Sequence, residues 1–317
     1  MHPLIVYSPG SNVDIGPHVF PTEKYGRVFE QLMAEGWVTA DEVFHPASAT
    51  RETLELAHMK EYLDDLEELR HTPRTMDSEL PLGHEIVEFF RRSVEGTCVA
   101  ARSALAREAA VHVGGGFHHA MADRAEGFCY LNDVAVAIRL LQHEGLARRA
   151  AVVDVDVHQG NGTARIFEGD ASVFTLSLHQ QQNYPSPKAT STLDVGLGNG
   201  TGDDEYDAAL AGALEHVWAH QPGIVIVVAG ADPYVDDQLG GLALTLDGLA
   251  RRDQRVLEGC ASRDIPVVVT LGGGYARRLE DTVRIHACTC RLALTIAGLS
   301  PSASPGRVPR TAATSNC

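Results

Sequence analysis

Six short runs of apolar residues recur along the chain, and most are apolar at successive positions rather than at alternate ones. Strands of this kind are buried on both faces, which is typical of a parallel sheet covered by helices. The runs occupy residues 4–7, 110–113, 150–157, 173–178, 223–229 and 265–271. We therefore predict six strands and expect a parallel sheet at the centre of the protein.

Longer segments with helical periodicity separate these runs. In 132–144, Val134, Ile138 and Leu141 recur at i, i+4 and i+7, and 203–220 opens with acidic residues that suit a helix N-terminus. Alternation of strands and helices over 317 residues predicts a three-layer α/β/α fold with a central, mainly parallel sheet. No linker divides residues 1–299, so we expect one domain, and the Ser-, Pro- and Ala-rich residues 300–317 predict a flexible tail.

The balance of acidic and basic residues indicates which kinds of partner the protein can bind. The chain has 42 acidic and 26 basic residues and a formal net charge of −16. Proteins that bind nucleic acids need a basic surface, so direct nucleic-acid binding is not expected and a cationic partner fits better.

The longest apolar runs, such as 224–230, are far shorter than a membrane span, and the N-terminus shows no signal peptide. With six cysteines in no paired framework, we expect reduced thiols in a cytoplasmic protein.

Four of the predicted strands end in polar or glycine-rich motifs. These are GGGFHHA at 114–120, DVDVHQGNG at 154–162, AGADPY at 229–234 and LGGGY at 271–275. In open α/β sheets, ligands bind beyond the carboxyl ends of the strands. We therefore expect the four motifs to meet in one site.

The second motif carries the chemistry of a metal site. Because strand side chains alternate, Asp154, Asp156 and His158 would share one side of the strand. Buried carboxylates repel one another, and a divalent cation bound by Asp156, His158 and Asp232 would resolve that repulsion. Three protein ligands leave a position open, as in catalytic sites. The alternative for this motif alone is a polar strand-to-loop transition with ordinary hydrogen bonds.

The other motifs supply candidate acid, base and hydrogen-bond donor groups. His118 and His119 have the side chain best suited to proton transfer near neutral pH, and loop histidines without a role are the alternative. Tyr275 could donate a hydrogen bond to a developing oxyanion, or could simply flank a flexible turn. The triple glycine matches neither of the two common nucleotide-binding patterns, so a nucleotide loop is excluded.

Taken in order, these motifs resemble the metal-dependent histone deacetylase superfamily. Two further segments belong to the same pattern, GFCYLNDVAVA at 127–137 and SLH at 177–179. The resemblance spans residues 4–297 and implies the arginase/deacetylase α/β fold and hydrolysis of an acyl-lysine-type amide. VYSP at 6–9, HQGNG and DDEY at 203–206 look most like class IV histone deacetylases and their bacterial relatives.

The resemblance implies a role for each matching residue. His119 matches the general base that activates the attacking water and then protonates the amine. His118 matches the neighbouring electrostatic or acid histidine, oriented by Asp154, and Tyr275 matches the residue that polarises the carbonyl. The residues that match the zinc ligands are Asp156, His158 and Asp232.

The resemblance also implies a substrate tunnel and bound monovalent cations. The tunnel positions are Gly127, Phe128, Tyr184 and, at the rim, Leu239. The groups that match a structural potassium site are the side chains of Asp154 and Ser177 and the carbonyls of Asp156, His158 and Leu178. A second monovalent site would involve the carbonyl of Phe167. We expect the catalytic cation to be Zn²⁺, and this ligand set also accepts Fe²⁺ or Mn²⁺.

This chain has Asn161 at a position where, as the resemblance implies, class I members of the family have an Asp. An Asn can orient His119 but cannot stabilise imidazolium by charge, so we expect a lowered pKa and a neutral His119 at pH 7. The class IV branch commonly has Asn here, so the difference implies no loss of activity. A two-metal ureohydrolase is disfavoured, because Gly160 and Tyr234 stand where further Asp ligands would be needed.

The sequence thus predicts an amidohydrolase that removes acetyl or longer fatty acyl groups from lysine side chains or similar amines. Hydrolysis of acetylpolyamines or other small amides is the alternative substrate class. A non-catalytic protein that binds acyl-lysine is the alternative from a different class. It is disfavoured because all metal ligands, both histidines and the tyrosine are present.

Overall fold

The computed structural model describes residues 4–301, and eight strands within them form one sheet. The strands are β1 Ile5–Val6, β2 Val43–Phe44, β3 Ala109–His112, β4 Ala150–Asp154, β5 Val173–Gln180, β6 Leu193–Leu197, β7 Val225–Val228 and β8 Val267–Thr270. Their order across the sheet is β2-β1-β3-β8-β7-β4-β5-β6, and every pairing is parallel. The predicted parallel sheet is confirmed.

Ten α-helices accompany these strands in the described part of the chain. They are α1 Lys24–Ala34, α2 Arg51–Leu54, α3 Lys60–Glu67, α4 Pro73–Met76, α5 His84–Arg107, α6 Asp133–His143, α7 Asn161–Ile166, α8 Asp203–Ala219, α9 Leu246–Ala261 and α10 Leu279–Ile296. Helix α5 packs against α6. Helix α10 packs against both α1 and α9, and α8 packs against α9. Because α5 and α10 both contact β3, the sheet lies between two helical layers, as predicted.

Local sequence explains where the elements form. Every residue of strands β7 and β8 is β-branched and buried, as expected for strands covered on both faces. Helix α6 begins where the Asn132 side chain accepts a hydrogen bond from the N–H of Ala135 at 2.9 Å. The Thr245 side chain caps α9 in the same way by accepting from the N–H of Gly248 at 3.0 Å.

The sequence does not predict the two edge strands. β6 alternates between half-buried and exposed residues, and β2 has two residues, so neither forms a long apolar run. The predicted strand 150–157 is also too long, because β4 ends at Asp154. Beyond that point the N–H groups of Asp156 and Val157 donate to Oδ1 atoms of Asp154 and Asp232, which turns the chain away from the sheet.

The sequence also led to expectations about the redox state of the cysteines, about membrane-spanning helices and about the C-terminal tail. Cys98, Cys129, Cys260 and Cys290 are buried free thiols, as expected. Cys288 is disulfide-bonded, so the expectation of reduced thiols is wrong at this residue.

Between residues 4 and 301, no helix combines the length and apolar character that crossing a membrane requires. Of the tail expected at 300–317, residues 302–317 lie outside the described residues.

Helix α7 packs directly on the loop that follows β3. The N–H of Thr163 donates to the carbonyl of His118 at 3.0 Å. A Cβ at Gly162 would lie 2.3 Å from the carbonyl oxygen of Ala120 and 2.4 Å from that of His119. Since both obstacles are backbone atoms, only glycine lets α7 approach the loop this closely.

We predict that Gly162→Ala lowers the free energy of unfolding by about 1–3 kcal/mol, the usual cost of overpacking a fixed interior. Gly212→Ala is the matched control, because Gly212 lies in α8 with nothing within 4 Å of its Cβ position. That control should gain about 0.5–1 kcal/mol from its higher helix propensity. Urea denaturation followed by circular dichroism measures both variants. Equal effects of the two substitutions would contradict the close approach of α7.

Candidate metal centre and catalytic groups

The loop after β3 carries two buried histidines, His118 and His119. The carboxylate of Asp133 holds this loop by accepting hydrogen bonds from the N–H groups of Gly116 at 3.0 Å and of the next residue at 2.8 Å. Gly116 has a φ of 84°, and a Cβ there would lie 2.6 Å from the nitrogen of Gly272. Glycine therefore allows the loops after β3 and β8 to meet just below the two histidines.

The structure brings Asp156, His158 and Asp232 together beyond the ends of the adjacent strands β4 and β7. One ligand atom from each of the three buried residues lies within 4.8 Å of the other two. Backbone groups fix the carboxylates, since the N–H of Gly273 donates to Asp156 Oδ2 at 2.8 Å and that of Val157 donates to Asp232 Oδ1 at 2.9 Å. These two backbone hydrogen bonds orient the carboxylates, so that their free oxygen atoms and the imidazole of His158 face one common point.

The electrostatics of the three side chains fit a divalent cation. Asp232 Oδ2 is buried without a well-aligned hydrogen bond, although His158 Nδ1 lies 3.3 Å away. Burial and the neighbouring Asp156 raise the pKa of Asp232 to about 7. Burial alone would lower the pKa of His158, but hydrogen bonding to the two carboxylates raises it to about 10. Two buried carboxylates and an imidazole held this close together favour a positive charge between them, and the donor set suits Zn²⁺.

The two tandem histidines have opposite electrostatic surroundings. His118 Nδ1 lies 2.7 Å from Asp154 Oδ2, and although burial opposes its charge, Asp154 and Asp156 raise its pKa to about 9. His119 Nδ1 lies 2.7 Å from the neutral Asn161 Oδ1. Burial, reinforced by the nearby imidazoles, holds the pKa of His119 well below its usual range. His119 is therefore the neutral imidazole of the pair and His118 the charged one.

Tyr275 is buried beside the metal ligands. Its N–H donates to Asp237 Oδ2 at 2.7 Å, and its ring centroid lies 6.4 Å from that of His158 and 6.0 Å from that of Phe128. Burial, with the nearby carboxylates, raises the pKa of Tyr275 well above its usual value. The phenol therefore stays protonated and available as a hydrogen-bond donor.

A narrow cavity of about 200 Å³ reaches these groups. The residues that line it are Glu79, His119, Gly127, Phe128, His158, Asn183, Tyr184, Leu239 and Tyr275. All four residues expected in the tunnel are among them, together with one metal ligand, the neutral histidine and the tyrosine. The cavity lining thus joins a mostly apolar wall to the polar groups of the site.

The groups matched to potassium lie on strands β4 and β5 and in the loop that follows β4. Asp154 and Ser177 are register partners on the adjacent strands β4 and β5, and Leu178 follows on β5. Ser177 Oγ lies 3.0 Å from His179 Nδ1, a contact that the sequence did not suggest. Phe167 is buried at the C-terminal end of α7.

Several residues that support the site are absent from the sequence prediction. Lys24 is fully buried on α1, where its ammonium donates to the carbonyl of Gly272 at 2.7 Å and lies 5.7 Å from the centroid of the Tyr275 ring. Burial lowers its pKa to about 8, and nearby carboxylates oppose that change. A lysine at the first turn of a helix normally faces water, so no pattern indicated its position.

Arg252 on α9 could have been found. It lies between Leu249 and Val256 at helical spacing, so the pattern places a charged residue on the buried face. Its guanidinium donates to the carbonyls of Val155 at 3.1 Å and Gly230 at 2.6 Å. These contacts tie together the two loops that carry the metal ligands.

Comparisons with known proteins agree with this site. A model of the histone deacetylase domain matches residues 18–290. The chain belongs to the histone deacetylase family. It is 39% identical over 292 residues to an uncharacterized protein of Picosynechococcus, covering 91% of this chain and 97% of that protein. It is 32% identical over 281 residues to histone deacetylase 2 of Arabidopsis thaliana, covering 84% of this chain and 73% of that protein.

Solved structures share the fold. An acetylpolyamine aminohydrolase from Burkholderia pseudomallei superposes with a TM-score of 0.76 at 20% identity, covering 90% of this chain and 97% of that structure. The HD domain of HDA15 superposes with a TM-score of 0.77 at 24% identity, covering 93% of this chain and 92% of that structure. The protein is thus a hydrolase of the deacetylase family, with its fold and a buried Asp-His-Asp metal site.

We predict that Asn161→Asp shifts the acidic limb of the pH–rate profile upward by about 1 to 3 pH units. A carboxylate in place of the amide would favour imidazolium and raise the pKa of His119, so that the base becomes protonated at a higher pH. Steady-state rates between pH 5 and 9 measure this limb. An acidic limb that stays in place would contradict the expectation that His119 acts as a neutral base.

Proposed function

We propose that the protein is a zinc-dependent amidohydrolase that removes acetyl or longer fatty acyl groups from lysine side chains or similar amines. The observation that carries this proposal is the convergence of three kinds of group at one narrow cavity. An Asp-His-Asp metal site, a neutral imidazole and a protonated phenol meet there. That combination provides for water activation, carbonyl polarisation and proton return.

Asp156, His158 and Asp232 would hold the cation, which when bound supplies Lewis-acid polarisation of a carbonyl oxygen and lowers the pKa of water. His119 accepts the proton of the attacking water, for which its lowered pKa suits it. Asn161 holds the His119 ring through Nδ1, which leaves Nε2 for that proton.

Tyr275 donates a hydrogen bond to the substrate carbonyl oxygen as negative charge develops there. The carbon–nitrogen bond of the amide then breaks, and a histidine proton goes to the leaving nitrogen. His118, charged through its contact with Asp154, stabilises the anionic stage or supplies that proton. The products are a free amine and a carboxylic acid, which then ionises in water. His119 gives up the proton it took from water, either directly to the leaving nitrogen or to replace the one given by His118, so both histidines regain their starting states.

The finer assignments follow the sequence motifs. Gly127, Phe128, Tyr184 and Leu239 form the wall that holds the acyl-lysine stem. Asp154, Ser177 and the carbonyls of Asp156, His158 and Leu178 bind a structural potassium ion, and Phe167 contributes to a second monovalent site. We also propose placement near class IV histone deacetylases, a single domain over residues 1–299 and a cytoplasmic location.

A substrate panel tests this function. Zinc-loaded protein should release the acyl group from acetyl-, octanoyl- or myristoyl-lysine peptides, with metal content measured on the same sample. Asp232→Asn is the matched metal-site variant, and its zinc affinity should fall by more than about 100-fold, beyond the loss seen for outer-shell partners. Preference for acetylated polyamines would move the substrate class to small amines. A zinc-loaded protein that is inert on the whole panel would contradict enzymatic function.

We predict that Tyr275→Phe lowers kcat by about 100-fold or more, the scale of removing one oxyanion donor. Tyr234→Phe is the control, since Tyr234 also follows a central strand but lies outside the cavity lining. Its kcat should stay within about threefold of the original, because removing the Tyr234 hydroxyl takes no group from the cavity lining. Steady-state kinetics on the best panel substrate measure both. Equal kcat values would remove Tyr275 from the mechanism.

A further inference from the structure

A chain of hydrogen bonds leads away from His119 to a carboxylate that no motif indicated. His119 Nδ1 lies 2.7 Å from Asn161 Oδ1, and Asn161 Nδ2 donates to Glu126 Oε1. The hydroxyl of Tyr184 donates to the same Glu126 oxygen at 3.1 Å. Glu126 lies just before the tunnel glycine Gly127, and its side chain is only 17% exposed. It therefore contacts both the residue that orients the base and the tunnel wall.

Glu126 decides which way the Asn161 amide faces. A carboxylate only accepts hydrogen bonds, so the Nδ2 end of the amide must face Glu126. The Oδ1 end then faces His119, and an oxygen there requires that His119 Nδ1 carry the proton. With Nδ1 protonated, Nε2 keeps its lone pair and can accept a proton.

A reversed amide would have the opposite effect. If Nδ2 faced His119, it would donate to Nδ1 and leave the proton on Nε2, where it blocks base function. An aspartate at 161 would have no donor end and would fix the same tautomer unaided. The neutral Asn161 thus needs an acceptor on its far side, and Glu126 supplies it.

Tyr184 closes the network on the tunnel side. Its ring packs edge-on against His119 with centroids 5.0 Å apart, while its hydroxyl bonds to Glu126. Burial, strengthened by Glu126, raises the pKa of Tyr184, so its hydroxyl remains a donor. Two donors converge on one carboxylate oxygen, which leaves Glu126 little freedom to turn away. Arg124 lies 3.6 Å from the other carboxylate oxygen.

We propose that Glu126 is a positioning residue that fixes the Asn161 amide and thereby the tautomer of His119. Its importance for rate rests on the proposed function, but the tautomer itself can be measured without turnover. The two can therefore fail separately.

The tautomer is read from ¹⁵N chemical shifts of the histidine rings in zinc-loaded protein, with the His119 signals identified by their loss in His119→Gln. In the unmodified protein, Nδ1 should be protonated and Nε2 bare. Glu126→Ala should populate the reversed tautomer and lower kcat by about 10- to 100-fold on an acyl-lysine peptide, as losses of outer-shell partners do. KM should change less than kcat and rise no further than in Tyr184→Phe, since both variants lose only the hydrogen bond between Glu126 and Tyr184 on the tunnel side.

Three variants separate this role from general structural support. Glu126→Gln keeps an acceptor oxygen and should retain the Nδ1 tautomer and kcat within about threefold. Tyr184→Phe removes the second contact of Glu126 and should raise KM while the tautomer stays unchanged. Glu126→Ala in an Asn161→Asp background should also keep the Nδ1 tautomer, since an aspartate has no donor end. Asp123→Asn is the control for a nearby, half-exposed carboxylate and should change neither reading.

Clear outcomes would overturn the proposal. An unchanged His119 tautomer in Glu126→Ala would do so, whatever the activity. Reversal in Glu126→Gln to the extent seen in Glu126→Ala would also overturn it, because an acceptor oxygen would then be insufficient. Should Glu126→Ala fail to fold, Glu126→Met removes the acceptor at similar side-chain volume, and an unchanged His119 tautomer in that variant would overturn the proposal equally. Absence of turnover with the expected tautomers would overturn the proposed function and leave the positioning role intact.

Discussion

Two carboxylates, Asp156 and Asp232, lie side by side beyond the ends of adjacent parallel strands. Their negative charges repel each other, and the neighbouring groups stabilise both. Backbone N–H groups from Val157 and Gly273 each stabilise one of them, and His158 lies between both. Beneath them, Arg252 ties the two supporting loops together. A buried pair of like charges is costly unless it is paired, and a divalent cation is the partner that also completes a hydrolytic site.

The same principle, applied one layer out, separates the two histidines. Asp154 gives His118 a charged partner, whereas Asn161 gives His119 a neutral one. Adjacent imidazoles with ring centroids 4.1 Å apart cannot both carry charge at low cost, so a charged His118 keeps His119 neutral. Identical side chains thus acquire opposite pKa shifts from their neighbours alone.

Much of the site was accessible from sequence because each motif follows a strand that is buried on both faces. The carboxyl ends of parallel strands meet at one edge, so DVDVH, AGADPY, GGGFHHA and LGGGY had to converge there. The prediction that one continuous strand carries Asp154, Asp156 and His158 is wrong. The chain leaves the sheet after Asp154 because side-chain carboxylates take up the next N–H groups.

The parallel sheet, the identity of the metal-ligating side chains and the candidate acid, base and phenol groups could all be predicted from the sequence. They depend on apolar runs and on local motifs, which are visible along the chain without a structure. Three contacts appear only in the folded protein: Lys24 lies close to Tyr275, Arg252 joins two loops and Glu126 faces Asn161. Such contacts join residues far apart in the chain, and charged side chains in ordinary surroundings carry no local signal of the partner they will meet.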